Sequence, residues 1–143
     1  MYNFLKESHN GIGLVLLFLF LTVIIFLFSM FLVKRTWGKP EKIAALVGLV
    51  VVHLQLLIGF VLYFISPLGL DNFSSDSMGH KISRFYLLEH PLGMILAVFM
   101  ITRGYKLSKK NTLGDSTKYK RLLIHYGLGF GIITYLIPWF LWS

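Results

Sequence analysis

Three long runs without Asp, Glu, Lys or Arg dominate the chain, at residues 12–33, 43–70 and 122–142. Each exceeds the roughly 20 helical residues that cross a hydrocarbon core about 30 Å thick. A fourth apolar run, 85–101, is interrupted by Glu89 and His90. We include it because a loop joining the second and last runs would otherwise hold a long apolar stretch with nothing to cover it.

The pattern therefore predicts four helices in one domain covering residues 1–143. Short connections between successive helices favour antiparallel neighbours. The expected fold class is all-α, an integral membrane protein with four transmembrane helices in an up-down bundle. The predicted helices span residues 10–34, 42–66, 85–107 and 120–142.

The distribution of Lys and Arg predicts the orientation of this bundle. One side would hold only Lys6, Lys81 and Arg84. The other side would hold the remaining basic residues: Lys34, Arg35, Lys39, Lys42, Arg103, Lys106, Lys109, Lys110, Lys118, Lys120 and Arg121. Since an excess of Lys and Arg marks the cytoplasmic side, we expect both termini in the periplasm and the protein in a bacterial inner membrane. Trp37, Trp139, Trp142 and Tyr2 lie near predicted helix ends, as interfacial aromatic residues do.

Composition excludes several classes of protein. Hydrophobic residues make up 56% of the 143 positions and charged residues 14%, which rules out intrinsic disorder. The net charge of +8 is explained by orientation and contact with anionic lipids, so no nucleic-acid partner is expected. The absence of Cys excludes disulfides, thiolate metal sites and covalent c-type haem. No pattern typical of a hydrolase or transferase is present, so the protein is at most a redox component.

Histidine provides the candidate chemistry. Polar side chains inside a membrane are costly and usually mark function, and each predicted helix contributes one histidine. A single intramembrane histidine most often forms a hydrogen bond between helices. Four of them favour a cofactor bound between facing helices, because imidazole nitrogen is a good ligand for haem iron. The candidate ligands are His9, His53, His90 and His125.

The possible ligand pairs can be ranked by how closely the two histidines match in depth along the bundle. His9 and His90 both lie near the outer ends of helices that run parallel and would be diagonal in the bundle. His53 lies about 15 Å, and His125 about 7 Å, from the cytoplasmic end of its helix. That second pair is mismatched by about 8–9 Å. We therefore predict His9 and His90 as the first ligand pair, with His53 next and His125 last.

Residues beside the histidines leave alternatives open. Pro91 predicts that His90 lies at a helix start or a break. Glu89 either pairs with Arg84 or faces the outer headgroups, or else it orients a ligand. Gln55 follows the second histidine by two residues and therefore projects to a different helix face.

Small and sulfur-containing side chains lie close to the same positions. Gly13 and Gly93 share a helix face with His9 and His90 respectively, where they would admit a flat macrocycle or allow close helix packing. Met94 is a candidate weak ligand but is more typical of core filling.

Several segments carry a resemblance to a known family. They are residues 53–67 (HLQLLIGFVLYFISP), Glu89–His90, residues 101–105 (ITRGY) and residues 137–139 (IPW). Over nearly its whole length the chain resembles small four-helix membrane proteins of Bacteroidetes-type bacteria that are labelled cytochrome B. The resemblance implies haem b and histidines at positions 9, 53 and 90. The family pattern has no histidine matching position 125.

Three functions remain open on the sequence. The first is a b-type haem protein that transfers electrons between a quinone or partner protein and another carrier. The second is a non-enzymatic accessory or structural subunit of a larger inner-membrane assembly without a cofactor. The third is a transporter or metal-handling protein for copper or protons, which is less favoured because the outer loop holds no close Met or His cluster.

Overall fold

The computed structural model describes residues 1–141, and the chain is 84% helical. No strand occurs within this described part, so the prediction of an all-helical protein is confirmed. The helices are α1 (Tyr2–Leu32), α2 (Lys39–Ile65), α3 (Ser75–Gly79), α4 (Lys81–Arg84), α5 (His90–Ser108) and α6 (Asp115–Tyr135). A π-helical turn, Phe85–Glu89, joins α4 to α5, and short 3₁₀ turns cover Leu70–Asn72 and Trp139–Leu141.

Two helix boundaries differ from the predicted ones by seven residues or more. Helix α1 begins at Tyr2 rather than at residue 10, so His9 lies two turns inside it. Helix α6 ends at Tyr135 rather than at residue 142. Pro138 explains the early end, because it has no N–H to continue the helical ladder and it disfavours helical backbone at the preceding residue. The predicted end of this helix and the aromatic residue Trp142 lie outside the described residues.

Three helical segments are long and apolar enough to cross a membrane, as in a multi-pass membrane protein: Tyr2–Leu32, Lys39–Ile65 and Lys81–Ser108. Helix α6 is not among them. Four of its first seven residues are charged, and the uncharged remainder, 122–135, is only about 21 Å of helix.

The long helices pack around a common core. Helix α1 packs against α2 and α6, and α5 packs against the same two, so α1 and α5 are diagonally opposed. The interior contains fully buried Phe20, Leu27, Ile101 and Tyr126. The Tyr126 hydroxyl donates a hydrogen bond to the carbonyl of Ala45 on α2. The core is therefore largely apolar, and this hydrogen bond joins α6 to α2 within it.

A buried carboxylate fixes the connection between α1 and α2. Glu41 is completely buried, and its Oε2 accepts a hydrogen bond of 2.9 Å from the backbone N–H of Gly38. Its Oε1 lies 3.1 Å from Nε of Arg35. The rings of Trp37 and Tyr119 pack edge to face beside it, 5.0 Å apart. This cluster holds the start of α2 against the start of α6.

Pro91 determines the local path of the chain at His90. The His90 N–H bonds the carbonyl of Phe85, five residues earlier, which forms the π-helical turn. Proline has no N–H to bond the carbonyl of Leu87, four residues before it. The hydroxyl of Tyr63 on α2 bonds that carbonyl instead, at 3.1 Å. As the sequence predicts, His90 lies at a break in the regular helix, a feature that recurs at functional sites.

We predict that Gly129→Ala loosens the contact between α5 and α6. A Cβ at this position would lie 2.5 Å from Cγ1 of Ile101 and 3.1 Å from the carbonyl oxygen of Ala97. Relieving such overpacking typically costs about 1–3 kcal/mol. Thermal unfolding in detergent should show a lower Tm. The control is Gly127→Ala, where a Cβ meets nothing within 4 Å. Equal effects of the two substitutions would contradict the packing described.

We also predict that Tyr63→Phe destabilises the protein by about 1–3 kcal/mol, because the Leu87 carbonyl loses its donor. Chemical unfolding in detergent measures the effect. Tyr135→Phe is the matched control, since that side chain is 84% exposed. A Tyr63→Phe protein as stable as the control would show that the hydroxyl does not compensate for the proline.

Candidate functional site

A cavity of about 580 Å³ lies between α1, α2 and α5 and is closed on its fourth side by the end of α6. Along α1 it is lined from Tyr2 to Phe20, about 27 Å of helix. Most of its wall is apolar. Its polar lining residues include Lys6, His9, Asn10, Gln55, Tyr86 and His90. A largely apolar cavity of this size with a few convergent polar groups is typical of a small-molecule site.

The structure brings two of the four candidate histidines together. His9 on α1 and His90 at the start of α5 both line the cavity. Their ring centroids are 6.4 Å apart, and the ring planes are inclined at 79°. Because α1 and α5 are diagonal, the two imidazoles approach each other across the bundle.

The hydrogen bond of His90 determines its tautomer. Nδ1 lies 2.8 Å from the carbonyl oxygen of Leu136. A carbonyl can only accept, so Nδ1 carries the proton and the neutral ring keeps a lone pair on Nε2. The Leu136 carbonyl has no helical partner because α6 ends at Tyr135. The ring of Phe85 packs 5.6 Å away, so His90 is held from two directions.

Gln55 on α2 holds His9 in the other neutral tautomer. Its Nε2 lies 2.7 Å from the backbone oxygen of His9 and 3.1 Å from Nδ1 of the ring. An amide nitrogen only donates, so Nδ1 accepts and the proton of the neutral ring is on Nε2. The other amide atom, Oε1, is buried without a hydrogen-bond partner.

Two glycines make room for this contact. A Cβ at Gly13 would lie 2.5 Å from Nε2 of Gln55, and a Cβ at Gly59 would lie 3.2 Å from Cε1 of His9. The glycine expected beside the other histidine has a different role. A Cβ at Gly93 would lie 1.9 Å from the Leu136 side chain, so this position allows α5 to pack against the end of α6.

The other two candidate histidines do not line the cavity. His53 Nδ1 donates to the carbonyl of Leu49 on its own helix at 2.8 Å, and its Nε2 lies 3.5 Å from Oγ1 of Thr102 on α5. His125 Nδ1 donates to the carbonyl of Arg121 at 2.7 Å, again within one helix. Both are therefore separate from the pair at positions 9 and 90.

Of the two other candidates near His90, Glu89 lies at the surface and Met94 lines the cavity. Glu89 accepts a 2.9 Å hydrogen bond from Nε of Arg84, and both side chains are more than two-fifths exposed, so this carboxylate has the ion-pair role that the sequence allowed. Met94 lines the cavity one turn below His90.

Sequence reasoning missed the two groups that orient the histidine pair. Gln55 is 46 residues from His9, so no local spacing connects them. The Leu136 carbonyl could have been suspected from Pro138, because a proline near a helix end leaves backbone carbonyls without helical donors.

Two imidazoles facing each other can bind one metal centre from opposite sides. With metal–nitrogen distances of about 2.0–2.1 Å, such a pair has ring centroids about 6 Å apart. Within residues 1–141, no group of three or more His, Cys, Asp or Glu side chains could hold a metal ion. The described residues therefore offer two imidazoles at this point and no third protein ligand.

Comparison with known proteins adds no further candidate. No protein-family model, curated protein or solved structure matches the chain.

Proposed function

We propose that this chain is a b-type haem protein of a bacterial inner membrane, and that His9 and His90 are the residues that would hold the haem iron. The observation that carries the proposal is the approach of these two rings, 6.4 Å between centroids, inside an apolar cavity. When bound, haem supplies one-electron redox chemistry between a donor and an acceptor in the membrane. We infer that a quinone or a membrane redox complex is the partner.

The donor set supports the proposal at His90. Histidines that bind metals almost always donate their other ring N–H to a carbonyl or carboxylate, which fixes the tautomer. The Leu136 carbonyl is such an acceptor for Nδ1. This bond leaves Nε2 as a lone-pair donor, the state that an iron ligand requires.

An unpaired buried atom supports the proposal at His9. As a ligand through Nε2, this ring carries its proton on Nδ1, which then needs an acceptor. Gln55 Oε1 is buried without a partner and belongs to the amide whose nitrogen lies 3.1 Å from Nδ1. The Gln55 amide therefore carries an acceptor suited to a haem-ligating His9, but in the structure it presents its nitrogen, and not this oxygen, to Nδ1.

The surrounding chain contributes the environment of the redox centre. Apolar residues on all four long helices, among them Leu17, Leu56 and Ile133, line the cavity and would contact the macrocycle. Axial ligand identity, outer hydrogen bonds and burial are the means by which a protein sets a haem potential. Lys6 and Glu7 also line the cavity, so one positive and one negative side chain lie toward the same end of α1.

We further propose that all four long helices cross the membrane in an up-down bundle, with both termini in the periplasm. Helix α6 completes its crossing with the apolar residues that follow it. The excess of Lys and Arg on the α1–α2 and α5–α6 connections supports this orientation. Many large apolar side chains are exposed on the outer faces of the bundle, where lipids would cover them.

We predict that His9→Ala and His90→Ala remove most of the haem from the purified protein. Haem per chain after expression with added haem is the measurement. His53→Ala and His125→Ala serve as matched controls and should keep their haem, because both rings bond groups outside the cavity. Equal loss in all four variants, or retention in the first two, would contradict the ligand assignment.

A rescue experiment separates ligand loss from misfolding. His90→Gly should regain haem when imidazole is added during reconstitution, because the free ring replaces the missing side chain. Failure of imidazole to restore haem to a variant that elutes as a folded monodisperse species would count against His90 as a ligand.

Labelling of single cysteines tests the orientation, since the chain has no cysteine of its own. Ser75→Cys lies in exposed α3 and Ser116→Cys at the exposed start of α6. In cells with a permeabilised outer membrane, an impermeant maleimide should label position 75, and position 116 only after lysis. The reverse pattern would contradict periplasmic termini.

A haem-free protein that purifies with a larger membrane assembly is the alternative outcome. It would favour an accessory subunit whose histidines only join helices. The exposed apolar faces fit lipid and protein neighbours equally.

A further inference from the structure

We propose that Gln55 is a positioning residue that sets the tautomer of His9 through the orientation of its amide. One orientation holds the ring in a form that cannot bind a metal through Nε2, and the other holds it in the form that can. The second half of this inference rests on the proposed haem function. The first half concerns the cofactor-free protein alone.

The orientation in the structure is the non-binding one. Both hydrogen bonds of the Gln55 amide come from Nε2, to the backbone oxygen of His9 at 2.7 Å and to its Nδ1 at 3.1 Å. Because Nδ1 accepts, the neutral ring carries its proton on Nε2, the atom that would otherwise present a lone pair. His9 and His90 therefore differ in tautomer, although both line one cavity.

The same orientation leaves a buried acceptor unused. Gln55 Oε1 is shielded from solvent and has no partner. Buried polar atoms without partners are rare in proteins and call for an explanation. The arrangement is therefore a compromise: the amide nitrogen is fully bonded and the amide oxygen is not.

Rotation of the amide about its terminal bond exchanges these roles. Oε1 then accepts from Nδ1–H, and Nε2 of Gln55 gives up its bond to the His9 carbonyl. The side chain must also move away from that carbonyl, because an amide oxygen left at the present position of Nε2, 2.7 Å from the carbonyl oxygen, would be repelled. That carbonyl remains paired within α1, so it is not left without a donor. On the ring, one proton leaves Nε2 and one is added at Nδ1, so the net charge is unchanged and Nε2 can form a coordination bond.

Gly13 allows the Gln55 amide to lie close to α1. A Cβ there would lie 2.5 Å from Nε2 of Gln55, closer than any real Cβ contact. An alanine at this position would displace the amide from His9. Gly11, on the same helix, has no atom within 4 Å of an added Cβ and is the matched control.

The tautomer is tested first on the haem-free full-length protein in detergent. Histidine ¹⁵N chemical shifts should show the Nε2–H form at His9 and the Nδ1–H form at His90. Gln55→Leu and Gly13→Ala should remove this preference at His9, while Gly11→Ala should leave it unchanged. A wild-type His9 already in the Nδ1–H form would overturn the inference, whether or not the protein binds haem.

The second test uses the haem-loaded protein and its midpoint potential. Gln55→Glu supplies a stronger acceptor to Nδ1–H, makes the ligand more basic and should lower the potential. Gln55→Leu removes the acceptor and should raise the potential, with haem binding weaker by about 10–100-fold. Shifts in the same direction, or no shift in either variant, would overturn the positioning role.

The two tests keep this inference distinct from the proposed function. A wild-type protein that takes up no haem contradicts the haem proposal and not the tautomer assignment. A haem-binding protein whose midpoint potential is unchanged by substitutions at position 55 contradicts the inference and not the haem proposal.

Discussion

Polar groups inside an apolar helix bundle must find partners within the protein, because no water is available to bond them there. This constraint accounts for the contacts that organise the end of the bundle at which the cavity lies. Gln55 bonds His9 and so joins α2 to α1. His90 bonds the free carbonyl at Leu136 and so joins α5 to the end of α6. The histidine pair is therefore held by a backbone carbonyl at a helix end and by a side-chain amide, of which only the nitrogen is bonded.

The same constraint links helix breaks to the site. Pro91 removes a donor and produces the π-helical turn that ends at His90, and Tyr63 supplies the replacement hydrogen bond. Pro138 limits α6 and frees the carbonyl that fixes the His90 ring. Each proline lies beside one wall of the cavity. The irregular backbone is concentrated where the two rings meet and is absent from the middle of α1 and α2.

The sequence predicted the long helices because charge-free apolar runs of this length have few alternatives to a helix. It also predicted that His9 and His90 lie at the same depth in the bundle, because both are near the same end of parallel helices. It could not predict which side chains bond them. For Gln55 the sequence predicted only that its side chain lies on a different helix face from that of His53. Its contact with His9 depends on how α1 and α2 are rotated about their own axes when they pack. The early end of α6 was missed because the apolar pattern continues past Tyr135 and only the proline interrupts it. The four-span count and the haem remain proposals.

The central claim is that two histidines from diagonal helices bind one haem b. The most direct measurement is the oxidised and reduced visible spectrum of the detergent-purified wild-type protein, with haem quantified per chain. If both histidines bind the haem, we expect about one haem per chain, a shifted Soret band on reduction, and the sharp α and β bands of a six-coordinate b-type centre. A colourless protein after expression with added haem, or a five-coordinate spectrum, would contradict it.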